Sequence, residues 1–168
     1  MDQRALAPSV IVVIVGIVVA AAVGVGVAYV LSRGSGENIG SASSIDCKMD
    51  VTTAGGTVHY RFMAKDIGSS NMKLRVEVTT AEQEAKLILD NGNQEAWLWT
   101  SVSGWQDSSA QFGSYWSMYW GQLNDSLDVL FDWTGGDYNY TDPTSGASIR
   151  FYDIQVNPTL PDSLFQPS

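Results

Sequence analysis

The sequence predicts an α+β domain in which an antiparallel β-sheet is covered on one face by one or two short helices, preceded by a single transmembrane helix. Three patterns lead to this prediction. An uncharged apolar run occupies the N-terminal part of the chain, alternation of apolar and polar residues follows it, and one middle segment has helical spacing instead. Strands and helices that each bury one face pack as layers around a common core.

The predicted transmembrane helix covers residues 9–31, after a short N-terminal segment of residues 1–8. The run contains no charged residue, and Arg4 and Arg33 bracket it. A bilayer core needs about 20 apolar residues, whereas the apolar part of a cleaved secretory signal is shorter, about 7–15 residues. We therefore expect an uncleaved signal anchor and a single-pass protein of the cell membrane.

Two glycosylation sequons favour a position outside the cytoplasm for the C-terminal domain. They begin at Asn124 and Asn139, and each has the N-x-[ST] pattern of an acceptor site in secreted proteins. Such triplets also arise by chance, and the charge difference between the two ends of the anchor is small. The sequons are therefore supporting evidence for the orientation.

Small residues form a stripe along the predicted anchor. Gly16, Ala20 and Gly24 recur at intervals of four, which places them on one side of a helix. Small residues in this pattern let helix backbones approach closely in lipid. The stripe is a candidate helix-packing face for self-association, and a span that is rich in small residues but has no partner is the alternative.

The start of the chain also resembles archaeal type IV pilin precursors. The resemblance rests on residues 4–8 (RALAP), a basic and a small residue ahead of an apolar helix. The glutamate that usually stands early in bacterial-type mature helices is absent. The resemblance implies an alternative function, that of a pilin-like or cell-envelope structural subunit assembled through its N-terminal helix.

Residues 32–44 are rich in Gly and Ser and predict a flexible linker. The extracytoplasmic, β-rich domain then comprises residues 45–168. Alternation predicts strands at residues 57–65, 72–79 and 147–156, and residues 48–53 are expected to open the sheet. In the first of these strands, one face carries four apolar or aromatic residues and the other is mostly polar: Val58, Tyr60, Phe62 and Ala64 against His59, Arg61, Met63 and Lys65.

Asn91-Gly92 lies between two further apolar segments, residues 86–89 and 95–100. Asn-Gly is a strong hairpin signal because both central residues of a type I′ turn need positive φ. These two segments are therefore predicted to be adjacent antiparallel strands.

Residues 111–130 lack sustained alternation, and their apolar residues recur at intervals of three and four. This spacing predicts one or two short helices with an apolar side. Asp125 or Ser126 is the expected cap of the second helix, and Gly135-Gly136 is expected to end it.

Composition excludes several classes of function. The formal net charge is -9 with nine basic residues and no basic cluster, which argues against nucleic acid as a partner. Cys47 is the single cysteine and His59 the single histidine, so the chain offers neither an internal disulfide nor a pattern of metal ligands. The sequence predicts no enzyme activity, no cofactor and no metal centre.

Several segments of the domain resemble LolA/LolB-like domains, which sort outer-membrane lipoproteins. They are residues 91–99 (NGNQEAWLW), 152–158 (YDIQVNP) and 160–165 (LPDSLF), the last being the most specific. The resemblance implies an open, strongly curved antiparallel sheet, a half-barrel closed on one side by helices, with an apolar interior that holds acyl chains. It implies a membrane lipid or a lipoprotein acyl chain as the partner. A membrane anchor departs from the soluble or lipid-anchored carriers and argues against long-range shuttling.

The aromatic cluster supports a hydrophobic ligand independently. Trp97 and Trp99 share one strand face while Ala96 and Leu98 share the other, so both faces are apolar. A compact aromatic core and a sugar- or protein-binding surface are the alternatives. The predicted lining of the ligand site comprises Phe62, Leu74, Val76, Trp97, Trp99, Trp116 and Trp120.

Overall fold

The computed structural model describes residues 39–130, 133–142 and 145–168. The predicted anchor and its stripe of Gly16, Ala20 and Gly24 lie outside the described residues. Within these ranges, no helix combines the length and the apolar character that crossing a membrane would require.

In the described part of the chain, eight antiparallel strands form one sheet. Their bounds are β1 Ser44–Thr53, β2 Gly56–Lys65, β3 Lys73–Thr79, β4 Glu84–Asp90, β5 Glu95–Thr100, β6 Gly104–Asp107, β7 Tyr138–Thr141 and β8 Ser148–Val156. The spatial order is β6-β5-β4-β3-β2-β1-β8-β7, so the first six strands form a meander and β8 returns to pair with β1. The sheet is open, with the two short strands β6 and β7 as its edges. Short edge strands offer few unpaired backbone groups to another chain.

One continuous helical run lies between β6 and β7. It consists of α1 (Phe112–Tyr115), a π-helical segment (Trp116–Trp120) and α2 (Gly121–Val129). The expectation of one or two short helices is thus met by a single run. The predicted caps are wrong, because Asp125 and Ser126 lie inside α2 and Gly135-Gly136 comes after its end. The Ser126 hydroxyl instead donates a hydrogen bond to the Gln122 carbonyl, at 2.7 Å.

The main core lies between the helical run and one face of the sheet, here called the helix-covered face. Alternation along the strands places every second residue there, as expected for residues 57–65. The helical run buries one side against it, at spacings of three and four. Its described buried apolar residues are Phe112, Tyr115, Tyr119, Leu123 and Leu127.

A second, smaller core lies on the opposite, outer face. It is covered by residues 158–168, here called the strap, which crosses this face after β8. Met63 of β2, Ile88 of β4 and Phe165 of the strap are buried together, with Trp97 and Trp105 packed at the margin. A 3-10 turn, Asp162–Phe165, turns the Phe165 ring into this cluster.

The β4–β5 hairpin confirms the predicted pairing and corrects the predicted turn. Residues 91–94 form a four-residue loop, and the positive φ falls on Gln94 (57°) and not on Asn91 or Gly92. The Asp90 carboxylate accepts a hydrogen bond from the Asn93 backbone N–H at 3.2 Å. This hydrogen bond favours the four-residue loop because it links the residue before the loop to the third residue of the loop.

The folded domain begins earlier than the sequence suggests. Ile39 and Ala42, which fall in the predicted linker, are buried, and β1 starts at Ser44. Residues 39–44 therefore belong to the domain. The Gly/Ser composition conceals this boundary because only two of these residues are apolar enough to mark a core.

The described core of the helix-covered face leads to a prediction about the free energy of unfolding of the domain. Leu89→Ala removes a fully buried side chain and leaves a cavity, so the free energy of unfolding should fall by about 2–5 kcal/mol. Val102→Ala is the matched control, because Val102 is 89 % exposed and should change the same quantity by less than about 0.5 kcal/mol. Urea unfolding of the full chain, followed by tryptophan fluorescence, measures both. Equal losses would contradict the described core.

Candidate ligand site beneath the helical run

The seven predicted lining residues divide between the two faces of the sheet. Phe62, Leu74 and Val76 lie on the helix-covered face and are fully buried, and Trp116 and Trp120 pack against the same core from the helical run. Trp97 and Trp99 lie on the outer face, because Ala96 and Leu98 take the helix-covered positions of β5. The structure therefore places five of the seven on the side of the helical run and separates Trp97 and Trp99 from them by the sheet.

The helical run carries a stack of aromatic rings. The rings of Phe112 and Trp116 are 5.5 Å apart between centroids, and those of Trp116 and Trp120 are 6.1 Å apart. The two tryptophans are half-buried, so one part of each indole faces the core and another part faces outward. Their segment is π-helical, a geometry that is rare and frequently found at functional sites.

In the core that the helical run covers, Tyr60 of β2 has an unpaired hydroxyl. Tyr60 is 2 % exposed, and its oxygen has no hydrogen-bond partner among the described residues. Burial raises the pKa of Tyr60 to about 12, so at neutral pH the group is a protonated donor without an acceptor. Burial also raises the pKa of Tyr119, which faces Tyr60 from the helical run. Leaving a buried donor unsatisfied costs about 1–3 kcal/mol.

A second unpaired atom belongs to the helical run itself. The Oε1 atom of Gln122 is buried and has no partner within the described ranges. Buried polar atoms are nearly always hydrogen-bonded in native proteins, so each exception needs a physical reason. An acceptor placed in this core would satisfy the Tyr60 donor, whereas Gln122 would need a donor.

The outer face carries charges near β1 and β8. The Arg61 guanidinium donates to both carboxylate oxygens of Asp46, at 3.0 and 2.8 Å, and the Lys48 ammonium donates to Asp153 at 2.7 Å. These pairs edge an open cavity of about 260 Å³ at a bulge where the β1–β8 register shifts. Because each charge already has an opposite partner, this cavity has no net charge with which to attract an ion.

His59 also lies on the outer face. Its Nδ1 is 2.7 Å from an oxygen of Asp50, and the same oxygen accepts a hydrogen bond from the Tyr152 hydroxyl at 3.2 Å. Cys47 is buried on the helix-covered face. The two side chains therefore point away from each other across the sheet, and this pair does not form a Cys–His site.

The glycosylation candidates are accessible. Asn124 is exposed on α2 and Asn139 is exposed on β7. Among the residues that the structure describes, no three imidazole, thiol or carboxylate groups converge as a metal site would require.

Comparisons with protein-family models, curated proteins and solved structures find no match to this chain. The geometry of the two faces is therefore the basis for assigning a function.

Sequence reasoning missed Tyr60 as a site residue although it placed Tyr60 on the correct face. The pattern of a strand shows which side a hydroxyl faces, but not whether an acceptor stands opposite it. Phe112 was missed as well, and its interval of four before Trp116 is the signal that identifies it.

The unpaired hydroxyl makes a prediction about stability. Tyr60→Phe removes the unsatisfied donor and keeps the ring, so the free energy of unfolding of the ligand-free protein should be unchanged or higher by about 1–2 kcal/mol. Tyr152→Phe is the matched control, because it removes a hydroxyl that donates to Asp50 and should not stabilise the protein. Chemical denaturation of the full-length variants measures both. A Tyr60→Phe protein less stable than the wild type by more than about 1 kcal/mol would show that the hydroxyl has a partner.

Proposed function

We propose that this chain is a membrane-anchored, extracytoplasmic binding protein that shelters an amphipathic ligand between the helical run and the sheet. The ligand class is a lipid or a lipoprotein acyl chain. The observation that carries the proposal is the buried Tyr60 hydroxyl, a donor without an acceptor inside an apolar core. A carboxylate, ester or phosphate oxygen supplies the missing acceptor, and the attached chain is buried among apolar side chains.

The proposed lining is the part of the predicted set that shares this side of the sheet: Phe62, Leu74, Val76, Trp116 and Trp120. Burial of each methylene of an acyl chain contributes about 0.8 kcal/mol. A hydrogen bond from Tyr60 then selects a chain that has a polar end, because an alkane would leave the donor unpaired.

Entry of the ligand requires one layer to move. The strands are held to each other by ladder hydrogen bonds, whereas the helical run packs on them through apolar side chains. The helical run is therefore the layer proposed to move aside. Its π-helical segment (Trp116–Trp120) supports this, because i→i+5 bonding is a local departure from the α-helical ladder at the proposed binding position.

The predicted anchor sets where such a protein works. A domain tethered by a linker stays within reach of one membrane, so its proposed role is to receive, present or sense lipid-linked cargo at that surface. It binds without covalent chemistry, since Tyr60 acts only as a hydrogen-bond donor.

A photoactivatable fatty acid tests this proposal. Full-length protein in a mild detergent is mixed with a palmitic acid analogue that carries a diazirine near its methyl end, irradiated and digested for mass spectrometry. Adducts are expected on peptides that contain Phe62 or Trp116, and excess unlabelled palmitate should compete them. Trp116→Ala should reduce the adducts about tenfold or more, the loss typical of removing an aromatic anchor from a binding site.

Trp99→Ala is the matched control for this experiment. It removes the same side chain from the outer face, so the adduct yield should stay at the wild-type level. Adducts confined to residues 9–31 or to the outer face, or equal losses in the two variants, would overturn the proposed site.

A further inference from the structure

The strap packs on the outer face of the sheet, and the surface that it occupies is here called the outer groove. Phe165 is the anchor, 4 % exposed between Met63 and Ile88. The Arg75 guanidinium donates to the Leu164 carbonyl at 2.9 Å, and the Trp105 indole N–H donates to the Ser168 carbonyl at 3.0 Å. These contacts recognise an aromatic side chain and backbone carbonyls.

Charge adds a further element of recognition. The Lys65 ammonium, which is mostly buried, pairs with the exposed Asp162 carboxylate and also stands over the Phe165 ring, 5.7 Å from its centroid. The hydrogen bond from Lys65 lowers the pKa of Asp162, and the charge of nearby Lys73 acts in the same direction. The groove therefore suits a segment with an acidic residue three positions before an aromatic one.

None of these contacts depends on which copy of the chain supplies the strap. The strap leaves the sheet at Asn157, a non-glycine residue with a φ of 54°, and continues through Pro158 and Pro161. A left-handed residue followed by two prolines is a sharp turn joined to a stiff, extended segment. Short hinge segments in tight turns favour domain swapping. When such a turn opens, the segment beyond it extends away from its own sheet at little cost in free energy.

Asn157 and Pro158, here called the root of the strap, lie beside the point where the chain enters the domain. The Asn157 side-chain oxygen accepts hydrogen bonds from the Ser43 backbone N–H at 2.8 Å and from the Ser43 hydroxyl at 3.0 Å. The Ser44 hydroxyl donates to the Pro158 carbonyl at 2.8 Å. Copies whose residues 1–38 are held at one membrane, as the proposed function has it, would therefore present their strap roots at similar heights.

We propose that two copies of this chain exchange straps, each Phe165 occupying the outer groove of the other copy. An intramolecular strap competes at an effective concentration in the millimolar range for a short linker. The exchanged dimer is therefore favoured where the chains are crowded, as on a membrane, and not in dilute solution. The exchange uses the face opposite the proposed ligand site and stands independently of it.

Bismaleimide crosslinking in cells tests the exchange. Two full-length variants with different tags, Ser168→Cys and Trp105→Cys, are produced in one membrane and treated with a short bismaleimide. Trp105 and Ser168 are hydrogen-bonded in the structure, so a crosslinked heterodimer reports a strap in the partner's groove. Cys47 is buried, and burial raises the pKa of its thiol to about 12, so it does not react in the folded protein.

Two controls separate exchange from mere proximity. Val102→Cys, exposed at the β5–β6 turn, replaces Trp105→Cys and reports random collision, so it should give at least about tenfold less heterodimer with Ser168→Cys. Adding Phe165→Ala to the strap-bearing copy removes the anchor and should reduce the heterodimer by a similar factor.

The double variant Trp105→Cys/Ser168→Cys supplies the geometric reference. It should crosslink internally, which shows that a strap in a groove brings the two positions within reach. Internal crosslinking without a heterodimer above the Val102→Cys level overturns the exchange. A double variant that fails to crosslink overturns the strap-in-groove premise itself.

Discussion

The structure depends on one constraint: the central strands of the sheet are apolar on both faces, so the sheet needs two covers. Leu87 and Leu89 of β4 face one side while Ile88 faces the other, and all three are buried. A single helical layer buries only one face of an antiparallel sheet. The helical run covers one face and the strap covers the other. The position of every candidate site follows from this arrangement.

The two covers satisfy polar groups differently. On the outer face, Arg75 and Trp105 donate to carbonyls of the strap, so polar atoms beside the apolar cluster have partners from the same chain. On the helix-covered face, Tyr60 donates to nothing in the described residues. A strap brings backbone carbonyls to the surface it covers, whereas a helix uses its carbonyls internally and presents only side chains. The helical cover therefore offers the Tyr60 hydroxyl no backbone acceptor, and in the proposed function the ligand supplies one.

The sequence predicts the parts of this fold that obey a local period. The faces of β2, the pairing of β4 with β5 and the helical spacing around Trp116 all follow from residue patterns. β6 and β7 were not predicted because four residues hold too little alternation to recognise. The side of Trp97 could be derived only relative to its neighbours on β5. Which side meets the helix depends on contacts far apart in the chain, and the role of Phe165 depends on a strap that has no period at all.

The strap and the chain entry meet at one cluster of hydrogen bonds, and this couples the outer face to the tether. Asn157 binds Ser43 through its side chain, and its backbone N–H donates to the Ser44 carbonyl at 2.9 Å. Ile39, which precedes these residues, is buried in the core of the helix-covered face, and the turn that contains it contacts α2. A force or a tilt applied through the residues before Ser43 therefore acts on both covers of the sheet, on the strap root through Ser43 and on the helical run through Ile39. The two covers of the sheet are thus linked at the point where the chain enters the domain, and the ladders of β1 with β2 and β8 hold that point in the sheet.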